Sequence, residues 1–492
     1  MSSQKNGFQD RITLPMPRVL LAADRSSSGK TTITSGLLAA LTAQGYRVQP
    51  FKVGLDYIDP SYHSEITSIR ARNLDGYLMD DNKILDVFTH ACETEKADVA
   101  VIEGVRGLFE GLESFSDTGS TAQIAKVLNC PVVLIINARS ITRSAAAIVN
   151  GYKNFDQDVN IAGVILNNIG GARHAKKAKD AIEHYTGIPV IGMIPRDSSM
   201  QISMRHLGLV PALEGRQKDG EFNKRIHRIE YIISENVNIE KIIEISQSVS
   251  PVEKPVNTLF KPHQNSNKPT IGIALDEAFN FYYHNNIELL KLEGARIKYF
   301  SPVNDTHLPQ VDGLYIGGGY PELFGEELES NESMQKDIKE ASLQGLPIYA
   351  ECGGLMYLTE KLTTGFQNNN KNKYHMADMQ ESTYDMVGAL PGHTLMGHKR
   401  VVSYNIGMFN RDSVIGKAGN SFRGHEFHHS EITELPSNSK FTIKLSRGTG
   451  IIRGWDGLTA NNTMGSYAHL EAVSYEEFAS SFVDFICKSD NI

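Results

Sequence analysis

Short apolar runs alternate with helical patterns along the first part of the chain. The runs that predict buried strands lie at residues 19–23, 48–53, 99–102, 132–136, 161–166 and 190–194. Alternation of this kind predicts βαβ units on a parallel sheet. The pattern stops near Gly215, and residues 216–249 are charged and helical without a clear strand, which favours a connector.

A proline-rich segment then interrupts the chain. Residues 251–269 (PVEKPVNTLFKPHQNSNKP) contain four prolines, which disfavour a helix or a central strand and indicate a linker. Beyond it, apolar runs at 270–275, 298–300, 313–316 and 347–350 predict a second α/β layer structure. A polar tract at 365–373 predicts an exposed loop or insertion. We therefore expect an N-terminal extension at 1–17, a first domain at 18–215, a helical connector and linker at 216–269, and a second domain at 270–492.

Composition narrows the class of protein. The chain has 492 residues, of which 40% are hydrophobic and 22% charged, as in ordinary globular proteins of more than one domain. No run approaches the roughly 20 apolar residues that span a bilayer, and the polar N-terminus lacks the apolar core of a secretory signal. We therefore expect a cytoplasmic protein without a membrane segment.

Charge and cysteine usage exclude further classes. The formal net charge is −8 and no long basic run occurs, which argues against an extended nucleic-acid surface. The four cysteines stand far apart, which disfavours a disulfide framework and a structural zinc site.

A phosphate-binding loop follows the first predicted strand. The run ADRSSSGKTT at 23–32 places backbone amides and Lys30 where a strand gives way to a helix, an arrangement that binds phosphate. The Thr31 hydroxyl can reach a magnesium ion. The alternative is a serine-rich turn that caps a helix. The loop departs from the usual pattern, because Ala23 or Asp24 stands where glycine normally opens it.

Carboxylates follow the next strands. The acids Asp56 and Asp59 come after the second predicted strand, and Glu103 and Glu110 after the third. The carboxyl ends of parallel strands share one edge of a sheet, so these acids are expected near the phosphate loop, where one or two could hold magnesium. A plain turn at Asp59 and a solvated strand end at Glu103 are the alternatives.

The second half of the chain carries a candidate thiol nucleophile. Cys352 lies between an apolar strand and two glycines, which predicts a sharp turn that exposes the thiol at a helix N-terminus. A lone cysteine is otherwise usually a small buried hydrophobe. The preceding run GGGYPE at 317–322 lets amides approach an oxyanion. His469, in GSYAHLE at 465–471, is the candidate base, and GHEFHH at 424–429 is a competing cluster that could equally pack and orient loops.

Several runs resemble the cobyrinate a,c-diamide synthase family: VQPFKVGLDYIDP at 48–60, RNLD at 72–75, EGVRGL at 103–108, GSTA at 119–122 and RHLGL at 205–209. The resemblance extends from about residue 18 to the C-terminus, and the first half is also similar to dethiobiotin synthetase. It implies an N-terminal P-loop domain with a parallel sheet and a C-terminal class I glutamine amidotransferase-like α/β domain. It also implies that ATP phosphorylates a side-chain carboxylate of a tetrapyrrole and that ammonia from L-glutamine displaces the phosphate.

The resemblance assigns roles in the first domain. It implies nucleotide binding by Ser28, Gly29, Lys30, Thr31, Thr32 and Asn167, although Asn167 alone could be a strand-ending turn. It implies magnesium binding by Thr31, Asp56 and Glu103, and catalysis beside the substrate carboxylate by Asp59 and Glu110. Tyr57 is a candidate substrate contact, and Arg72 and Arg106, which we expect in loops after the strands, could pair with the substrate carboxylates. Any one of these arginines alone is more often a surface residue. Family members more often have aspartate at the position of Glu110.

In the second domain the resemblance selects one histidine. Related glutaminase domains carry cysteine in a Glu-Cys-Gly-Gly context and histidine in a Ser-Tyr-X-His context, which Cys352 and His469 match. The implied oxyanion donors are Gly318 and Gly353. The resemblance implies a site without a third acidic member, and Glu471 stands where relatives commonly have a second histidine. A homodimer is a candidate assembly.

The substrate and two alternatives remain open. The variants at 24–28, 54–56 and 74–77 resemble the methanogen-type branch, which acts on nickel sirohydrochlorin in making the nickel coenzyme of methane formation, with cobyrinate as the other candidate substrate. Cobyric acid synthase, which amidates other side chains, shares the architecture. A partitioning-type ATPase switch shares the phosphate loop and sheet but has no use for a Cys352 and His469 domain.

Overall fold

The computed structural model describes residues 12–197, 221–256, 258–263, 268–365 and 381–489. The chain divides into two compact units, Met1–Thr258 and Leu259–Ile492. The family-like run at 205–209, residues 1–11 of the predicted extension and residues 366–373 of the polar tract lie outside the described residues.

The first unit is built on a parallel sheet. Its apolar runs form strands buried on both faces, as helix-covered parallel sheets require. The strands are β1 Thr13–Leu14, β2 Arg18–Ala23, β3 Val48–Val53, β4 Arg72–Leu74, β5 Val99–Glu103, β6 Val132–Asn137, β7 Ile161–Ile169, β8 Val190–Pro195 and β9 Val252–Glu253. Seven of them form one parallel sheet in the order β4-β3-β5-β2-β6-β7-β8, and β1 pairs antiparallel with β9. The carboxyl ends of β3, β5, β2 and β7 therefore lie along one edge.

Helices cover this sheet. They are α1 Lys30–Ala43, α2 Ile58–Thr67, α3 Asp81–Thr94, α4 Thr121–Val127, α5 Arg143–Phe155, α6 Ala172–Thr186, α7 Glu221–Asn236 and α8 Ile239–Gln247. Side chains cap the N-termini of α3 and α4: Asp80 accepts a hydrogen bond from the Lys83 amide, and Ser120 accepts one from the Gln123 amide.

Helices α7 and α8 correspond to the segment that the sequence predicted as a connector. Their isoleucines, including Ile229, Ile233 and Ile242, are buried in the same apolar cluster as Val19 and Leu37 of the sheet and α1. An isoleucine repeat at helical spacing needs an apolar surface to cover it, and the first unit provides that surface. The segment is thus part of the core of the first unit rather than a free connector.

The second unit has a mixed sheet. Its strands are β10 Thr270–Ala274, β11 Phe279–Phe281, β12 Arg296–Phe300, β13 Gly313–Ile316, β14 Gly318–Gly319, β15 Ile348–Glu351, β16 Lys361–Thr364, β17 Ser382–Asp385, β18 His393–Phe409, β19 Ser421–Thr433, β20 Lys440–Arg447, β21 Trp455–Ala460 and β22 Thr463–Ser466. Strands β12-β10-β13-β15-β22 are parallel neighbours, and the sheet continues through β21-β20-β18-β16-β17, with β19 paired to β18. Short β11 and β14 pair antiparallel apart from it.

The helices of this unit are α9 His284–Leu292, α10 Gly325–Ser330, α11 Glu332–Leu343, α12 Gly353–Leu358 and α13 Glu477–Ser489, with a 3₁₀ turn at Pro321–Leu323. The core includes Leu314, Ile348 and Tyr467, all nearly fully buried. The predicted fold class, a parallel-sheet α/β domain followed by a second α/β domain, is confirmed. Among the helices described in either unit, none combines the length and the apolar character that crossing a membrane requires.

Candidate functional site

The loop between β2 and α1 forms the candidate phosphate site of the first unit. β2 ends at Ala23 and α1 begins at Lys30, so residues 24–29 turn from a buried strand into a helix N-terminus. Asp24 Oδ1 accepts a 2.5 Å hydrogen bond from Ser28 Oγ, which ties the two ends of the loop. The first amides of a helix lack intrahelical acceptors, so together with Lys30 they favour phosphate oxygens.

Asn167 of β7 contacts the same loop. Its Nδ2 donates a 2.8 Å hydrogen bond to the Ser28 carbonyl oxygen, and its Oδ1 accepts from the Asn168 amide at 2.9 Å. Gly29 has a φ of +92°, and a Cβ at this position would lie 2.3 Å from Asn167 Nδ2. Both the backbone conformation and the lack of space therefore require glycine. Thr32 follows in the first turn of α1, half-buried.

We expect Gly29→Ala to weaken ATP binding by about tenfold or more, because the added methyl group must displace Asn167 and with it the Ser28 carbonyl. Equilibrium titration with a fluorescent ATP analogue measures this change. Gly45→Ala is the matched control: Gly45 has a φ of +91° but no atom within 4 Å of its Cβ position, so it carries the same backbone strain without the clash. Equal ATP affinities of the two variants would contradict the steric explanation.

Lys52, near the end of β3, lies at the centre of a buried charge cluster. Its Nζ is 2.5 Å from Asp59 Oδ2 and 2.8 Å from Glu103 Oε1. Lys30 Nζ donates to the same Glu103 oxygen at 3.0 Å. The Thr31 hydroxyl lies 2.7 Å from Glu103 Oε1 and 3.2 Å from Asp59 Oδ2. The structure thus brings four predicted site residues together around a lysine to which the sequence analysis assigned no role.

His63 is a second member that the sequence analysis missed. Its ring is fully buried, and its Nε2 lies 3.0 Å from Glu103 Oε2. The position i+4 from Asp59 on α2 puts His63 on the same helix face as that acid, which is the only signal in the sequence. The sequence signal for Lys52 is stronger, since a lysine inside an apolar strand must be paired with an opposite charge. In the structure Lys52 is only 2% exposed.

The cluster sets the charge state of its members. Burial opposes ionisation of Glu103, yet Lys52 and Lys30 hold the pKa of Glu103 well below its usual range. Burial lowers the pKa of Lys30, although Glu103 favours its charged form. Partial burial, followed by the neighbouring Asp59 carboxylate, raises the pKa of Asp56 to about 7. Glu103 is therefore held as a carboxylate, whereas the carboxyl group of Asp56 is harder to ionise.

The oxygen atoms of this cluster fit a magnesium ion. The Thr31 hydroxyl and the carboxylates of Asp56 and Glu103 are the hard oxygen donors that magnesium prefers. Asp59 Oδ1 is a further buried oxygen, with no hydrogen-bond partner among the residues that the structure describes. Within the described ranges, no three His, Cys, Asp or Glu side chains are grouped so as to hold a metal by themselves. Magnesium usually takes only one or two carboxylates and adds substrate phosphate oxygens, so this donor set suits it.

The predicted substrate-binding residues lie in different settings. Tyr57 precedes α2 and is half-buried, and Arg106 is exposed in the loop after β5. Arg72 is the first residue of β4 rather than a loop residue, and it is 3% exposed. It is buried because this short strand pairs with β3, Arg72 opposite Phe51. Burial raises the pKa of the Cys92 thiol of α3, and the Arg72 guanidinium opposes that shift.

Glu110 lies beside the phosphate loop. A Cβ added to Gly107 would lie 3.1 Å from Glu110 Cγ and 3.2 Å from the Asp24 carbonyl oxygen, so Glu110 packs close to both. Burial, then Asp24 and Glu110, raise the pKa of Tyr152. Glu110 is exposed, and its contacts place it on the Asp24 side of the loop, whereas Asp59 belongs to the Lys52 cluster.

In the second unit, Cys352 makes the turn between β15 and α12. β15 ends at Glu351 and α12 begins at Gly353, so Cys352 alone turns the chain, with a φ of +46° that non-glycine residues rarely adopt. Its amide donates to the Ser466 carbonyl oxygen at 2.7 Å, and its Sγ lies 3.6 Å from the Phe427 carbonyl oxygen. Strain at a single residue held by neighbours on both sides is typical of a nucleophile turn.

His469 lies against Cys352. The two side chains hydrogen-bond, and His469 Nδ1 is 3.4 Å from Glu351 Oε2. Burial disfavours a charged ring, yet the hydrogen bonds to Cys352 and Glu351 raise the pKa of His469 to about 10. The structure therefore brings the predicted thiol and base into contact, and a carboxylate lies beside them that the sequence analysis did not expect.

The predicted oxyanion donors border this pair. A Cβ on Gly318 would lie 2.7 Å from His469 Cε1, so the β14 backbone is pressed against the imidazole ring. Gly353 is the first residue of α12, where a helix amide has no intrahelical acceptor. The neighbouring Gly317 amide donates instead to Tyr282 Oη at 2.7 Å.

The competing histidines lie on β19 around the same pair. The His425 ring stacks on that of His469, with centroids 4.9 Å apart and planes 11° apart, and its Nε2 is 2.7 Å from Tyr283 Oη. His428 stacks on Tyr467 with ring centroids 3.8 Å apart. Burial lowers the pKa of His425 and brings that of His428 to about 4. Both rings therefore pack around the pair in neutral form.

Two family models match the chain. Residues 19–210 match the CobQ/CobB/MinD/ParA nucleotide binding domain, and residues 270–476 match the CobB/CobQ-like glutamine amidotransferase domain. The first match covers the phosphate loop and the Lys52 cluster, and the second covers Cys352 and His469.

Curated relatives are similar over nearly the whole chain. The cobyrinate a,c-diamide synthase of Methanosarcina barkeri is 67% identical over 474 residues, covering 95% of this chain and 96% of the relative. That of Methanosarcina acetivorans is 68% identical over 474 residues, covering 95% of each. That of Methanothermobacter thermautotrophicus is 44% identical over 466 residues, covering 94% of this chain and 98% of the relative. The similarity thus extends over both units.

Proposed function

The chain belongs to the cobyrinate a,c-diamide synthase family, and from this we propose that it amidates the a- and c-acetate carboxylates of a tetrapyrrole with ATP and glutamine. It is a glutamine-dependent carbon–nitrogen ligase. One observation carries the proposal: a phosphate loop beside a buried lysine–carboxylate cluster shares a chain with a thiol–imidazole pair. The first arrangement suits carboxylate activation, and the second suits the release of ammonia from an amide.

In the first unit we assign carboxylate activation by phosphoryl transfer. A substrate carboxylate oxygen attacks the γ-phosphorus of ATP, the bond to ADP breaks, and an acyl phosphate forms. The 24–29 loop and Lys30 bind the phosphates, and Lys52 offsets negative charge that develops on the transferred group. Thr31 and the nearby acids would hold a magnesium ion, which would supply further positive charge to the phosphates.

The amide then forms on the activated carboxylate. Ammonia attacks the acyl carbon, phosphate leaves, and the nitrogen loses one proton. We assign that proton to Asp59, because its Oδ1 is buried without a hydrogen-bond partner in the described part of the chain. Glu110, on the other side of the loop, and Arg106 are assigned to the remainder of the substrate.

In the second unit we assign glutamine hydrolysis. The Cys352 thiolate attacks the side-chain carbonyl carbon of glutamine, and the amides of Gly318 and Gly353 stabilise the oxyanion. Protonated His469 gives its proton to the departing ammonia, and water then hydrolyses the thioester to glutamate. Ammonium is not a nucleophile, so the ammonia must reach the acyl phosphate before it is protonated.

The macrocycle is the finer part of the proposal. The relatives named above are cobyrinate enzymes, whereas the variants at 24–28, 54–56 and 74–77 resemble the methanogen-type branch that acts on nickel sirohydrochlorin. We propose that the enzyme accepts both, as a soluble cytoplasmic catalyst of cobalamin and nickel-coenzyme synthesis.

A side-by-side amidation assay tests the substrate. Purified enzyme with ATP, magnesium and glutamine receives either nickel sirohydrochlorin or cobyrinate, and mass spectrometry counts the amides formed. We expect two amides on each macrocycle, one at each of its a- and c-acetate carboxylates. More than two amides would favour the cobyric acid synthase alternative, and no amide on either macrocycle would contradict the proposal.

A further inference from the structure

The His469 imidazole has a carboxylate neighbour that comes from the residue before the nucleophile. Glu351 Oε2 lies 3.4 Å from His469 Nδ1, and both side chains are 1% exposed. A buried carboxylate costs free energy unless it is paired, and the imidazole is the cationic partner in reach.

The register of two parallel strands places Glu351 there. Glu351 is the last residue of β15 and pairs with Ser466 of β22, three residues before His469. Its other oxygen, Oε1, accepts from Tyr349 Oη at 2.8 Å and lies 3.3 Å from the Leu470 amide nitrogen. The carboxylate is therefore held from two sides, and the Leu470 contact links it to the segment that carries His469.

Glu471 is the other acid near His469 in sequence, and it serves a different group. Its Oε2 accepts from the amides of Val473 and Ser474 at 2.9 and 3.0 Å, and its Oε1 accepts from Asn285 Nδ2 at 2.8 Å. These bonds shape the turn that leads into α13. Sequence position alone would favour Glu471, whereas the geometry favours Glu351.

We propose that Glu351 is the positioning acid of the glutaminase: its carboxylate holds His469 through Nδ1, so that Nε2 faces the Cys352 thiol. The site is then a triad whose acid and nucleophile are adjacent in sequence, and not a dyad. This inference rests on the proposed glutaminase function of Cys352 and His469. The carboxylate fixes the tautomer and orientation of the ring and stabilises the imidazolium that donates a proton to ammonia.

Other titratable groups around His469 also favour or disfavour a positive charge on its ring. Cys352 faces the ring from the β15–α12 turn, and its hydrogen bond favours the imidazolium. From β19, His425 stacks on the ring and His428 acts on it from further away; both disfavour a second positive charge. Their burial keeps them neutral, so Glu351 is the carboxylate that offsets the charge on His469.

The test compares Glu351→Gln with Glu471→Gln, a matched removal of one buried carboxylate charge from the same unit. Glutamine can keep the bonds from Tyr349 and Leu470 but not the charge. We expect Glu351→Gln to lower the glutaminase kcat by about 10²-fold with little change in KM, less than the ~10⁴-fold effect in serine triads because a thiol ionises more readily than a hydroxyl. Amidation with added ammonia should be retained, which shows that the variant is folded.

The pH profile separates positioning from a general structural effect. Hydrogen bonds to Cys352 and Glu351 raise the pKa of His469, so loss of Glu351 lowers it. The protonated ring is then lost at lower pH, and the alkaline limb of the glutaminase profile moves to lower pH in Glu351→Gln but not in Glu471→Gln. Glu351→Asp, which keeps the charge, should restore the position of the limb and part of kcat.

Each outcome decides the inference. Equal kcat and equal alkaline limbs in Glu351→Gln and Glu471→Gln would overturn it, as would a larger loss in Glu471→Gln. If Glu351→Gln does not fold, Glu351→Asp carries the test: a reduced kcat with the wild-type alkaline limb supports the proposal, and wild-type kcat overturns it. Retained glutamine-dependent activity in Cys352→Ser would instead overturn the proposed function on which the inference rests.

Discussion

Replacement of Cys352 by serine is expected to abolish glutamine-dependent amidation and to leave amidation with added ammonia close to the wild-type rate. Serine lacks the readily ionised sulfur that His469 converts into a nucleophile, so glutaminase activity should fall by at least about 10³-fold. The Lys52 cluster and the phosphate loop lie in the other unit, and Cys352 belongs to neither. The substitution should therefore leave the amidation step itself unchanged. The measurement is initial amidation rate with each nitrogen donor, together with glutamate release.

Cys487→Ser is the matched control. Cys487 lies in α13 of the same unit and is partly exposed, so the variant makes the same chemical change away from β15. It should retain both activities. Equal losses with glutamine and with ammonia in Cys352→Ser would mean that the two half-reactions do not use separate sites.

The positions of the two sites along the chain were accessible to sequence reasoning because each follows a buried apolar strand. Lys30 follows β2, and Cys352 follows β15, in short motifs that combine glycine with a reactive side chain. Parallel strands align their carboxyl ends, so the approach of Glu103 and Asp59 to the phosphate loop also followed from the order of strands.

Partners contributed by distant strand register could not be predicted in this way. Glu351 meets His469 only because β15 pairs with β22, and no spacing in the sequence encodes that pairing. His63 reaches Glu103 because α2 packs against β3, the neighbour of β5 in the sheet, which is a tertiary property. Local patterns report which face of an element is apolar, but not which element covers it.

The antiparallel part of the second sheet was also left unassigned. β18 pairs with β19 along most of its length, but its register shifts between Met396 and Val401, and the irregular pairing breaks the period-2 pattern that identifies a strand. The competing histidines His425 and His428 lie on β19, so their packing role depends on strands that the sequence analysis did not predict. The packing of α7 and α8 on the first unit was missed for the same reason, since an amphipathic helix does not specify the surface it covers.

The second large effect is expected for Asp59→Asn, which should lower kcat for amidation by about 10²-fold or more with either nitrogen donor. Asparagine keeps the size of the side chain but cannot accept a proton from attacking ammonia at Oδ1, and it removes the charge that Lys52 Nζ meets at 2.5 Å. ATP affinity should change by no more than about threefold, because we assign phosphate binding to the 24–29 loop and Lys30. Steady-state amidation and equilibrium nucleotide titration measure the two quantities.

Asp156→Asn provides the matched comparison for this prediction. Asp156 also pairs with a lysine of the first unit, accepting from Lys126 Nζ at 2.8 Å, but at the end of α5 and not in the Lys52 cluster. Its variant should keep both kcat and ATP affinity. Glu110→Gln should fall between the two, because Glu110 is exposed and lies outside the Lys52 cluster, and we assign it only to substrate placement. Unchanged kcat with weakened ATP binding in Asp59→Asn would assign Asp59 to the nucleotide rather than to the acyl transfer step.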